Sequence, residues 1–113
     1  MEIKDVIVSQ FAEDDLNEIV EYYFSLNPNY VENIVSEFET NVLSLQQYPK
    51  RGRIVPELDR QGISQYRELM QGFYRIVYEI SEDKVIVHTI FDGRRNFEDI
   101  IISKLSRYYG NKI

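Results

Sequence analysis

Cysteine is absent from the 113 residues, tryptophan is absent too, and His88 is the single histidine. Without cysteine there is no disulfide, no thiol catalysis and no cysteine-based zinc site. One histidine leaves a metal centre short of its usual ligands. Long apolar runs are also missing: no stretch nears the ~20 residues of a membrane span. Residues 1–9, "MEIKDVIVS", lack the charged-then-apolar layout of a secretory signal, so the cytoplasm is the expected location. No glycine-rich phosphate loop, metal-ligand spacing or nucleophile elbow occurs. Neither a cofactor nor a metal is expected.

What is present describes a globular chain. Hydrophobic residues make up 43% and charged residues 28%. The length suits one domain over residues 1–113 with a single core. The net charge of −6 is unevenly placed. Residues 1–48 hold one base, Lys4, against ten acids, a charge of −9. The remainder therefore carries +3. Such asymmetry marks either a basic binding face or an acidic helical half that keeps the protein soluble.

"IKDVIVS" (3–9) reads as a strand, and Ser9 is placed to cap the helix that follows. Ala12, Leu16, Ile19, Val20 and Tyr23 recur at helical spacing, which predicts a helix over about 11–26. "NPN" (27–29) breaks it, and Pro28 suits the first turn of a second helix. That helix carries Val31, Ile34, Val35, Phe38, Val42 and Leu45, and the short connection makes an antiparallel helical hairpin. "PKRGRIVPEL" (49–58) is a basic loop. Strands are predicted at 65–70, 73–80 and 84–92, and a last helix at 96–110, closed by Gly110. The expected fold is α+β and two-layered, with the hairpin packed on a mainly antiparallel four-stranded sheet in the order β-α-α-β-β-β-α.

A two-residue turn at Gln71 and Gly72 would pair Glu68 with Arg75. Side-chain alternation then puts Leu69, Tyr74, Ile76, Tyr78, Ile80, Val85, Val87 and Phe91 on a core face under the hairpin. Glu68, Arg75, Val77, Glu79, Ile86, His88 and Ile90 would lie on the other face, open to solvent or a partner. On that open face Glu68, Arg75 and His88 could form an acid–base and phosphate-clamp site. The alternative is a cross-strand ion pair beside an ordinary strand histidine. Lys50, Arg51, Arg53, Arg94 and Arg95 could follow a nucleic-acid backbone, or be solvated, or pair with Glu57 and Asp92. Nine tyrosines could stack on bases. Tyr74 and Tyr78, by register, and Tyr22 and Tyr23, by helical spacing, suit core duty better.

Four segments in this order, "SQFAEDDLNEIVEYY" (9–23), "YPKRGRIVPEL" (48–58), "YRELMQGFYRIVYEI" (66–80) and "IFDGRRN" (90–96), resemble the RelE/ParE superfamily of type II toxin–antitoxin toxins. The resemblance covers nearly the whole chain. It implies a small bacterial toxin silenced by a co-encoded antitoxin, with which it would form a hetero-oligomer. RelE-like members cleave mRNA in the ribosomal A site without metal; ParE-like members poison DNA gyrase. If the chain is a nuclease, the resemblance places its phosphate-binding arginines at Arg67, Arg75 and Arg95, and His88 or Glu68 of the open face would carry the proton. A second basic position of the family is Leu69 here, and a RelE tyrosine falls at about Ile101. These departures count against mRNA cleavage, and the "PKRGRIVPEL" loop, the long helical hairpin and "DGRRN" look closer to the ParE-like branch. On that reading Arg94, Arg95, Arg51 and Arg53 are the target-binding residues, gyrase is the target, and no membrane is involved. A toxin-fold protein that only binds its antitoxin is a third possibility.

Overall fold

The computed structural model describes residues 4–108. Strand β1 (Asp5–Val8) leads into helix α1 (Gln10–Phe24), which turns into helix α2 (Pro28–Ser44). The short strand β2 (Arg53–Ile54) and one-turn helix α3 (Pro56–Asp59) occupy the basic loop. Strands β3 (Tyr66–Gln71), β4 (Tyr74–Ser81) and β5 (Lys84–Asp92) precede helix α4 (Phe97–Tyr108). The local signals act as expected. Ser9 caps α1 by accepting from the Ala12 amide at 3.1 Å, and Asn27 caps α2 with Pro28 in its first turn. Gly110, the expected stop of the last helix, lies outside the described residues.

The strands form one sheet in the order β1-β5-β4-β3-β2, with β1 parallel to β5 and the other pairs antiparallel. The α+β class is as expected, but the sheet has five strands. The extra strand is β2, two residues long, too short to leave a period-two signal. No helix among the described residues is long and apolar enough to cross a membrane.

Two details of register differ from expectation. Gln71 pairs with Tyr74, so the hairpin turns at Gly72 and Phe73, with Gly72 at φ +60°. Glu68 then faces Val77, and Met70 faces Arg75. On β5, Val77 pairs with Thr89 but Tyr78 pairs with Val87. His88 is therefore the extra residue of a β-bulge, and a bulge resets the alternation beyond it. Ile90 consequently joins the hairpin-side core, and Phe91 leaves it for the opposite side.

The opposite side of the sheet is not open. Helix α4 lays Phe97, Ile101 and Leu105 over it, and Val55 and Leu58 from the loop and α3 complete a second core with Tyr66, Val77 and Phe91. Val77, Ile86 and Ile90, expected to be wet, are buried. Under the helical hairpin the first core holds Leu69, Tyr74, Ile76, Tyr78, Val85 and Val87 against Ala12, Ile34, Phe38, Val42 and Leu45. Tyr22 does not serve it: that side chain is 68% exposed.

Candidate functional site

Arg75 lies beneath α4. Its Nε donates to Glu68 Oε1 at 2.6 Å and Nη2 to Glu68 Oε2 at 2.9 Å. Nη1 and Nη2 donate to the two oxygens of Glu57 at 2.9 and 2.8 Å. The Phe97 ring sits 4.0 Å from the guanidinium carbon. Burial pulls the Arg75 pKa down, but its hydrogen bonds to the Glu57 and Glu68 carboxylates outweigh it and leave the guanidinium held above its ordinary value. The hydrogen bond from Arg75 in turn holds the Glu57 carboxyl below the usual carboxylate range. Glu68 also accepts from Arg53 Nε at 2.7 Å and has a fully buried side chain. The Glu68–Arg75 pair exists, but diagonally across the hairpin. The Arg53 pairing with Glu68 follows from β2, which the sequence did not reveal.

His88, 1% exposed, binds Glu79 through Nε2 at 2.7 Å and meets the Tyr66 ring edge-on at 5.7 Å. Nothing outside the fold reaches it. Arg67 lies on the hairpin side of β3, opposite Tyr78, while Arg75 lies on the α4 side. Arg67 donates to the Gly52 carbonyl at 2.8 Å. The Gly52 amide donates to the Tyr78 hydroxyl at 3.0 Å, and that hydroxyl donates to the Pro49 carbonyl at 2.7 Å. A Cβ on Gly52 would come within 2.6 Å of both the Glu68 carbonyl and the Tyr78 hydroxyl, so the glycine of "KRGR" is a packing requirement. Of the proposed nuclease set, Glu68 and Arg75 are brought together, while Arg67 lies on the other side of the sheet and His88 is bound by Glu79.

The "DGRRN" turn separates its two arginines. Asp92 takes Arg94 through Nε at 3.0 Å and Nη2 at 2.8 Å, and accepts from the Arg94 amide at 2.9 Å. Arg94 also covers the Phe73 ring at 3.6 Å. The hydrogen bond from Arg94 lowers the Asp92 pKa. Gly93 packs on the stem of Arg75, where a Cβ would stand 2.5 Å from Cγ and Cδ. Arg95 bonds through its backbone amide to the Asp92 carbonyl, and its exposed side chain lines a cleft of about 280 Å³ between α1, the end of β5 and α4. Arg51 is exposed and donates to the Ser44 hydroxyl, and Arg53 is mostly exposed beyond its bond to Glu68.

Sequence reasoning gave no role to Asp15, a buried acid on an acidic helix. It accepts from Thr89 Oγ1 at 2.6 Å, Lys104 Nζ at 2.8 Å and both terminal nitrogens of Arg107 at 3.0 and 2.9 Å. Burial pushes its pKa up, but the bonds from Arg107, Lys104 and Thr89 outweigh that and lower it. Asp15 ties α4 to α1. Its signal was present but weak: Asp15 sits one residue before Leu16 on the inward stripe, where a solvated acid is out of place.

Residues 6–97 match the family model described as the ParE toxin of type II toxin–antitoxin systems, parDE. The chain belongs to this family. No curated protein matches it. Among solved structures, the ParE-family chain is similar to one from the chromosomal ParDE toxin–antitoxin system of P. aeruginosa. That likeness has a TM-score of 0.66 at 18% identity, and it covers 80% of this chain and 96% of the other. A chain of the RelBE2 toxin–antitoxin complex from Mycobacterium tuberculosis is similar at TM-score 0.56 and 21% identity, covering 81% and 93%. At these identities the likenesses speak for the fold. They agree with the α+β architecture, while the family model carries the RelE/ParE resemblance to its ParE-like side.

Proposed function

We propose that this ParE-family chain inhibits growth by engaging DNA gyrase in the cytoplasm, and that a co-encoded antitoxin silences it. The observation that carries the choice of target is the state of Arg75. An arginine that stabilises a phosphate in a transition state must meet that phosphate. Arg75 instead has Glu68 and Glu57 on its donors and Phe97 over its face. The proton carriers required by a nuclease fare no better, since Glu68 is buried and His88 is sealed against Glu79. Exposed cationic side chains remain at Arg51, Arg53, Arg94 and Arg95. They suit contact with a macromolecular target. The antitoxin reading has separate support in the family itself.

Purified protein tests this in two assays. Inhibition of supercoiling by gyrase, with no cleavage of ribosome-bound mRNA, is the expected result. Site-specific mRNA cleavage without effect on gyrase would replace this reading by the ribonuclease one.

A further inference from the structure

The cleft beside Arg95 has a distinctive charge arrangement. Asp15, Glu18, Asp92, Arg95 and Lys104 line it, together with Ile19, Tyr22, Tyr23, Tyr74, Ile90 and Phe91. Three of these charges are consumed within the fold: Asp15 holds Lys104, and Asp92 holds Arg94. Two are not. The side chains of Arg95 and Glu18 form no hydrogen bond or ion pair among the described residues, with each other or with a neighbour. An aromatic wall stands beside them. Tyr23 packs on Tyr30 at 4.7 Å, and the Tyr30 and Tyr74 hydroxyls are 3.2 Å apart. Tyr22, packed edge-on against Tyr23 at 4.8 Å, projects into solvent.

We infer that this cleft is a docking pocket for a segment of a protein partner, taking an acidic side chain on Arg95 and an apolar side chain against Tyr22, Tyr23 and Tyr74. The guanidinium fork favours a planar carboxylate, and Arg95 is the member of the arginine pair not already holding one. Arg94 has that ligand in Asp92, so adjacent arginines have different jobs. A nucleic-acid backbone fits less well. Polyphosphate binding gains from several cations together, whereas this rim offers one uncommitted arginine with Glu18 alongside, on a helix rich in acids. The inference rests on the reading of Arg95 as a target-binding residue and adds the chemistry of what it binds.

Three probes test it by amide chemical-shift mapping on the full-length protein: acetyl-Leu-Glu-Leu-amide, its glutamine counterpart, and inorganic phosphate. The acidic tripeptide is expected to shift amides around Ile19, Tyr74 and Arg95. Changing its Glu to Gln, or Arg95→Ala in the protein, should weaken it about tenfold, the size of one charged hydrogen-bonded contact. Lys84→Ala, an exposed cation at the opposite end of β5 from the cleft, should leave binding unchanged. No shift in the cleft at millimolar peptide overturns the inference. So does equal binding by the Gln peptide, or phosphate producing the same map, which would indicate a plain anion site. The gyrase assay reports separately: supercoiling inhibited without peptide binding sinks the pocket and spares the proposed function, and the converse result does the reverse.

Discussion

The two faces of one sheet are built by different chemistry. Under the α1–α2 hairpin, Leu69, Ile76, Val85, Val87 and Ile90 meet Ile34, Phe38, Val42 and Leu45 in an apolar core edged by tyrosines. Under α4, an apolar patch of Val77, Phe91, Phe97, Ile101 and Leu105 surrounds the ion pairs of Arg75 with Glu57 and Glu68 and the hydrogen-bonded His88 and Glu79 side chains. The first face is held by surface removed from water, a contribution that scales with buried apolar area and does not depend on pH. The second depends on complete pairing, because a buried charge that loses its partner is expensive. Three residues that look catalytic in the sequence, Glu68, Arg75 and His88, are on this second face, where each is bound by another side chain of the fold.

The sharpest way to break the comparison is to leave one side of the ionic face unpaired. Arg75→Ala should cost about 3–5 kcal/mol, since Glu68 remains buried with only Arg53 as its cation. Replacing Arg75 and Glu68 together by Met and Leu should recover most of that, because a buried pair exchanged for apolar residues is often neutral. Urea unfolding measures both. A loss under about 1 kcal/mol for the single variant would mean that α4 shields Arg75 far less than its geometry indicates. A consequence follows for function: Arg75→Ala cannot separate gyrase poisoning from RNA cleavage in cells, since loss of toxicity would reflect loss of fold.

On the apolar face, Ile76→Ala should cost about 2–5 kcal/mol, as for other fully buried large-to-small changes. Unlike the first effect, this one should be nearly independent of salt and of pH between about 5 and 8. A salt-dependent loss would erase the distinction between the faces.

Acid provides a milder probe. The folded protein holds Glu57 and Asp15 below the usual carboxylate range, through Arg75 for the first and, against burial, through Arg107, Lys104 and Thr89 for the second. Between the ordinary pKa near 4 and the lowered one, the unfolded chain binds more protons than the folded chain. Their stabilisation is therefore fully present above about pH 5 and is lost as pH falls through the lowered values. Asp15→Asn should flatten part of that acid slope, while Ile76→Ala should displace the curve without changing its shape. Denaturant midpoints measured across the acid range decide it, and an unchanged slope in Asp15→Asn would remove Asp15 from the ionic latch.

Which parts of this were legible beforehand follows the range of the interactions. Helices α1 and α2, with Ser9, Asn27 and Pro28 at their starts, are encoded by nearby residues, and so is the apolar face over Ile76 and Tyr78. The resemblance in four ordered motifs brought the family. The hidden features arise from long-range fit. The bulge at His88 moved Phe91 across the sheet, yet "VIVHTIFD" alternates without any mark of an inserted residue. That α4 would close over Arg75 depends on Phe97, on Gly93 leaving room for the arginine stem, and on Asp15 eighty-nine residues from Lys104. The pairing of Arg94 with Asp92 is one of the options the sequence leaves open, whereas Glu57 binds Arg75 rather than one of the loop or turn cations.

The smallest expected effect on stability belongs to Arg95, and that is its value. Arg95 supports neither face: its side chain is exposed and makes no ion pair among the described residues. Arg95→Ala should therefore change stability by no more than about 0.5 kcal/mol. If Arg95 binds the target, growth inhibition on induction should nonetheless be lost, because removing a charged contact from a binding site costs several times that amount. Arg75→Ala should abolish activity by unfolding, whereas Arg95→Ala should abolish it in a folded protein, and circular dichroism separates the two. Full toxicity from folded Arg95→Ala would take the target-binding role away from the "DGRRN" turn and leave Arg51 and Arg53, on the far edge of the sheet, as the cations still to be tested.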